Sequence, residues 1–134
     1  ILPPTPSDPA DGQNYDVYNN GCPARLVLDH LGDKWALLIL DRLRVEPTRF
    51  NALRRDINGI SQKVLSQVLK RLERDGMVTR TVFPTVPVTV EYALTPLGET
   101  LTDTVGALLG WAEANMPAIH AAQAAYDARI AEDA

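Results

Sequence analysis

Cysteine is nearly absent from this chain. Cys22 stands alone among 134 residues, so no intramolecular disulfide can form, which fits a reducing compartment. No apolar run approaches the roughly 18 residues of a membrane span. No charged-then-apolar leader is visible either, and the expectation is a cytoplasmic protein. The patterns of catalysis are missing as well: no carboxylate pair, no glycine-rich phosphate loop and no metal-ligand spacing occurs. Cys22 and His30 lie eight residues apart on a helical pattern, which does not set a nucleophile against a base. His30, on an otherwise apolar face, reads as a packed or interface histidine. No enzyme, cofactor or metal is expected.

A basic surplus is also lacking, since the formal net charge is −4. That total hides a segregation. From Lys34 to Arg80 there are eleven Lys and Arg against five Asp and Glu, a balance of +6. Outside that window Arg25 and Arg129 face twelve acids, a balance of −10. Affinity for phosphate follows the local basic surface and not the chain total. The length and the 46% apolar content are those of one globular domain able to bury a core.

The most informative stretch runs from Arg49 to Asp75. Leu65, Val68, Leu69 and Leu72 recur at three- and four-residue steps and form one apolar stripe of a helix. Ser61 precedes it as an N-cap. At about 100° per residue, the opposite face carries Lys63, Ser66, Gln67, Lys70 and Arg74, side chains that bond to base edges and phosphates. Phe50 and Leu53 make a smaller stripe ahead of it, followed by Arg54 and Arg55. Ile57-Asn58-Gly59-Ile60 supplies the turn, with the two isoleucines plugging the angle between the helices. A helix-turn-helix is the reading.

Around this motif, residues 1–20 with their four prolines read as an extended or disordered arm. Pro23 opens a helix through Leu31, and Gly32 ends it. Lys34-Trp35 begins another, with Trp35, Leu38, Ile39 and Leu43 on its apolar face, and Pro47 stops it. Thr48 is read as the cap of the helix opened by Arg49. Gly76 after Asp75 is a helix stop. Val78–Phe83 and Val88–Leu94 are strands around a proline-rich tip too irregular for a tight primed turn. Helix-turn-helix followed by a β-hairpin is the winged-helix arrangement, and it favours duplex DNA as partner. The competing reading is a winged-helix module for protein contacts, its basic face covered by an acidic partner. Thr95-Pro96 starts a further helix, Pro117 is expected to interrupt it, and Ala118–Ile130 forms the last. This much helix at the C-terminus leaves an apolar stripe over, for which a second copy of the chain is the economical partner.

These residues resemble the HxlR-type transcriptional regulators, winged-helix proteins related in fold to the MarR group. The shared landmarks are Cys22-Pro23, Gly32-Asp33-Lys34-Trp35, Arg49-Phe50-Asn51-Ala52-Leu53-Arg54-Arg55, Gly59-Ile60-Ser61-Gln62-Lys63, Leu72-Glu73-Arg74-Asp75-Gly76 and Val90-Glu91-Tyr92-Ala93-Leu94-Thr95-Pro96. The resemblance implies a mainly α fold with a small β-hairpin, dimerising through N- and C-terminal helices and acting on promoter DNA, expected here as a repressor. The domain would span residues 21–134, with the helix-turn-helix at about 49–75, the wing at about 78–94 and the dimerisation helices at about 96–132. It places Ser61, Gln62, Lys63, Ser66, Gln67, Lys70 and Arg74 on or beside the reading helix. Gln62 turns toward the core by wheel angle and reaches DNA through its place in the first turn. Arg49 and Arg54 become phosphate clamps. The wing lacks the basic residue that many members carry before Val-Glu-Tyr, which leaves Arg80 and Thr89 to reach the backbone. Cys22, at the start of a helix with Arg25 one turn on, is a candidate sensor of oxidants or electrophiles. Its bland reading is a small packed residue. A small-molecule effector held near Trp35, Phe83 and Trp111 stays open beside plain core packing.

Overall fold

The helix-turn-helix forms where the apolar periodicity placed it. In the computed structural model, which describes residues 14–133, helix α3 (Phe50–Asp56) and helix α4 (Gln62–Arg74) flank the expected turn. Ser61 caps α4, its hydroxyl accepting the Val64 N–H at 3.1 Å. Leu65, Val68, Leu69 and Leu72 all fall inside, at 2% exposure or less, and each contributes about 1.5–3 kcal/mol of apolar burial. Ile57 and Ile60 are 6% exposed, so both plug the corner. Gly59 has φ +91° and Gly76 has φ +78°, left-handed values that suit glycine at the turn and at the stop of α4.

Ahead of the motif, helix α1 (Pro23–Leu31) ends at Gly32. Asp33 then caps helix α2 (Lys34–Val45), its Oδ1 accepting the Trp35 N–H at 2.9 Å. The buried face of α2 is shifted from the one expected: Ala36 and Leu40 join Ile39 and Leu43 in the core, while Trp35 and Leu38 are only half-buried. Residues 1–13, the greater part of the expected arm, lie outside the described residues. From Asn14 on, the chain winds through turns. The Asn19 N–H donates to the Asp16 carbonyl and the Cys22 N–H to that of Asn19, each at 3.0 Å.

Three strands form an antiparallel sheet of order β1-β3-β2. The wing strands are β2 (Val78–Phe83) and β3 (Thr89–Leu94), paired from Val78↔Leu94 to Phe83↔Thr89. The third, β1, is the dipeptide Thr48–Arg49, with Thr48 opposite Tyr92 and Arg49 opposite Glu91. This corrects the expectation for Thr48. It is a buried strand residue whose hydroxyl donates to the Glu46 carbonyl at 2.9 Å. Arg49 occupies the cap position of α3, without a side-chain cap bond. Pairing with a strand more than forty residues away outweighs the local preference of a threonine for capping.

The C-terminal helices divide at a different place from the one expected. Thr95 caps the short helix α5 (Pro96–Glu99), and the break falls at Thr100-Leu101. Helix α6 (Thr102–Asp133) then runs 32 residues straight through Pro117. Proline already has a helical φ, so what it loses is one N–H bond and some room beside the carbonyl four residues back, at about 3 kcal/mol. Ala112, Ala114, Ala118, Ala121 and Ala122 surround it, and alanine is the strongest helix former. The described residues divide after Thr102 into two compact units. The first holds α1 to α5 and the sheet around an aliphatic core; the second is the long helix.

Candidate nucleic-acid interface

Helix α4 presents the face the sequence assigned to it. Lys63, Gln67, Lys70 and Arg74 are exposed, Ser66 is half-buried, and the buried stripe lies opposite. Gln62 is exposed, which corrects its expected turn toward the core. At the first helical position no preceding turn covers a side chain, so wheel angle decides little there. No acid stands in the first turn of α4; the positive end of the helix is left to other anions. Trp35 supports the turn from below. A β-carbon on Gly59 would stand 3.8 Å from its ring edge, and Lys34 lies 4.7 Å over the same ring. Trp35 is thereby part of the support for the motif, while Trp111 is 58% exposed on α6.

Ion pairing sorts the cations of the basic window into two sets. Arg42 bonds Asp56 at 3.0 Å, Arg44 meets Asp41 at 3.4 Å, and Arg71 bonds Asp33 at 3.1 Å. Arg55 reaches Asp56 only at 3.9 Å, and 75% of its side chain is exposed. Among the described residues, Lys34, Arg49, Arg54, Lys63, Lys70, Arg74 and Arg80 have no carboxylate within 4 Å. All seven are exposed. The paired set is structural. Arg71 ties the back of α4 to the cap of α2, and one turn further on Asp75 takes His30 Nδ1 at 2.8 Å. His30 is thus the polar tie from α1 to the end of α4, a role its sequence surroundings did not signal.

The wing brings some expected residues together and separates others. Arg49 and Thr89 line one cleft of about 420 Å³ between α3 and β3, with Phe50, Asn51, Ala52 and Arg55 along the helix side. Arg54 is not among its walls. Strand alternation puts Arg80, opposite Tyr92, on the face of the sheet away from Arg49, Thr89 and Glu91. The tip is uncharged and held by its own bonds. The Thr85 hydroxyl donates to the Pro87 carbonyl at 2.8 Å and its N–H to that of Phe83 at 2.8 Å, which leaves Val86 fully exposed. Sequence reading passed over Asn51 and Arg55 as a pair. Their four-residue spacing on a helix next to Arg49 was the available signal.

A model of the HxlR-like helix-turn-helix family matches residues 30–120. The chain belongs to the HxlR family. The HTH-type transcriptional regulator YtfH of Escherichia coli (strain K12) is 46% identical over 104 residues, 78% of this chain and 82% of that one. The solved structure of YtfH from Salmonella typhimurium agrees with a TM-score of 0.79 at 44% identity, covering 82% of this chain and 98% of that chain. The redox regulator HypR in its oxidized form agrees with a TM-score of 0.64 at 39% identity, covering 70% and 97%. This HxlR protein is therefore a winged-helix transcriptional regulator of the helix-turn-helix type.

Cys22 of this HxlR protein is the N-cap residue of α1, half-buried, with no side-chain cap bond. It lines a shallow cleft with Asn14, Asp16, Asn19, Gly21 and Pro23. Among the described residues no group of three or more His, Cys, Asp or Glu is placed to hold a metal ion. Among the same residues no helix is long and apolar enough to cross a membrane.

Proposed function

We propose that this HxlR protein binds promoter DNA sequence-specifically as a homodimer and represses from there. The observation that carries the reading is the set of carboxylate-free cations on α4, Lys63, Lys70 and Arg74 on its outer face, with Arg49, Arg54 and Arg80 elsewhere in the same unit. An internally neutralised surface would not attract phosphate; this one has kept its charge. Ser61, Gln62, Ser66 and Gln67 add the uncharged donors and acceptors that base edges require, and Thr89 adds a hydroxyl at the wing. Dimerisation is supported by α6, where Leu108, Trp111, Ile119, Tyr126 and Ile130 recur at helical spacing and all but the half-buried Ile119 are 47–58% exposed. An apolar stripe of that length seeks a partner, and a two-fold copy presents two reading helices to half-sites about 34–36 Å apart. The test is sedimentation of the purified chain, together with titration of duplex DNA at rising salt. A dimer whose affinity falls steeply with salt is expected. A monomer that ignores duplexes at low ionic strength would sink the reading.

A second layer is oxidative control through Cys22, supported by the likeness to HypR, a redox regulator. Cys22 is the sole thiol, so a disulfide made by this protein alone has to join two copies. Mild oxidant is expected to produce a crosslinked dimer on a non-reducing gel, reversed by thiol and absent in Cys22→Ser. A wild-type chain that stays uncrosslinked while its DNA affinity is unchanged removes this layer and leaves the DNA reading intact.

A further inference from the structure

The cleft between α3 and the wing combines features that the reading helix lacks. Two arginines line it, Arg49 from β1 and Arg55 from α3, together with Asn51 and Thr89, whose side chains carry an amide and a hydroxyl. The remaining wall is apolar: Phe50 and Ala52 on one side, Val88 and Val90 on the other. Two acids lie close by: one leaves Arg49 unpaired, and the other makes only a long contact with Arg55. Glu91 faces Arg49 across the β1–β3 ladder, yet no ion pair closes between them. Asp56 is taken by Arg42 at 3.0 Å, which leaves Arg55 at 3.9 Å from its other oxygen and mostly in solvent. Arg54 is also exposed and, unlike Arg55, has no carboxylate within 4 Å, but it is not among the residues that line the cleft.

We propose that this cleft seats one sugar-phosphate unit of the DNA backbone beside the bases read by α4, with Arg55, not Arg54, as the partner of Arg49. Guanidinium forks match phosphate oxygens, and the amide and hydroxyl complete a donor set around an anion. The apolar wall suits the hydrophobic face of a deoxyribose, which separates a nucleic-acid backbone from free inorganic phosphate. A cation-poor wing then still has a fixed place on the duplex, because the charge comes from the helix across the cleft. The inference rests on the DNA-binding reading above and deepens it: the contact is sequence-independent and sets register, while α4 reads bases.

The test compares Arg55→Gln with Arg54→Gln in the full chain, variants that remove the same charge from adjacent exposed positions. The probe is a fluorescein-labelled random-sequence duplex, followed by anisotropy over about a fourfold range of salt. A lost phosphate contact lowers the slope of log affinity against log salt by about 0.9, or about 3.5-fold in affinity over that range. Arg55→Gln is expected to show this loss, Arg54→Gln clearly less, and Arg55→Lys to recover most of the slope. Inorganic phosphate is expected to compete poorly. Equal slopes for Arg55→Gln and Arg54→Gln overturn the seat and reduce both residues to diffuse charge, with the DNA reading still standing. A wild-type chain that fails to bind the duplex overturns the DNA reading itself, and the seat with it. Thermal melts of the three variants are expected to match wild type, since both side chains are exposed.

Discussion

Replacing Gln67 with alanine is expected to cost about 1–3 kcal/mol against one preferred base pair and little against the others, a discrimination of about 5- to 150-fold. Replacing Lys63 with alanine is expected to weaken binding to every duplex and to flatten its salt dependence by about one phosphate contact. The two residues lie four apart on the exposed face of α4, so position alone does not explain a difference between them. Chemistry does. A primary amide offers a donor and an acceptor side by side and can pair bidentately with adenine, whereas an ammonium offers only donors and follows charge. Binding measured on a set of single-base operator variants checks both expectations. Operator enrichment from genomic fragments must come first, to supply the sequence and half-site spacing. Equal losses for the two variants, independent of sequence, would remove base reading from Gln67.

The largest effect on stability is expected from Gly98→Ala. Gly98 is buried beneath the junction of the wing and α5, and a β-carbon there would overlap the Met77 carbonyl oxygen. That oxygen is not free to move aside. It accepts the Thr95 N–H at 3.0 Å, while Thr95 Oγ1 bonds the Gly76 carbonyl and also accepts the Gly98 N–H at 3.0 Å. A clash with fixed backbone leaves only chain displacement, at about 3 kcal/mol or more. With a total stability of about 5–15 kcal/mol for a domain of ordinary size, the melting temperature is expected to fall by about 10 °C or more. Gly110→Ala is the internal control. Apart from its chain neighbours and the backbone of its own helical turns, no atom lies within 4 Å of a β-carbon there on α6, and alanine is expected to gain up to about 1 kcal/mol. Paired thermal melts decide the matter; a Gly98→Ala chain melting with wild type would mean that the Met77–Thr95 junction yields easily.

Much of the site was open to reading because helical periodicity is a local property. The stripe of Leu65, Val68, Leu69 and Leu72 fixed which side of α4 faces the core and, by exclusion, which side Lys63, Gln67, Lys70 and Arg74 present. The caps at Ser61 and Thr95 and the stop at Gly76 were equally legible, since each acts within four residues of itself. Thr48 went astray because its partner, Tyr92, sits far along the chain. Pro117 went astray because a proline rule states what the residue costs and not what its neighbours supply. Charge counting found the basic window, yet it had no means of knowing that Arg42, Arg44 and Arg71 are spent on carboxylates.

The sequence by itself determined the helix-turn-helix, the hairpin after it and the face that α4 turns outward, all from spacing and punctuation within a few residues. Tertiary structure alone decided that Thr48 joins a sheet, that His30 meets Asp75 across 45 positions, and that Arg55 rather than Arg54 shares a cleft with Arg49. The reason is physical. A helix fixes which of its own side chains are neighbours, but strand register and the approach of one element to another depend on contacts between distant parts of the chain, which no local pattern encodes.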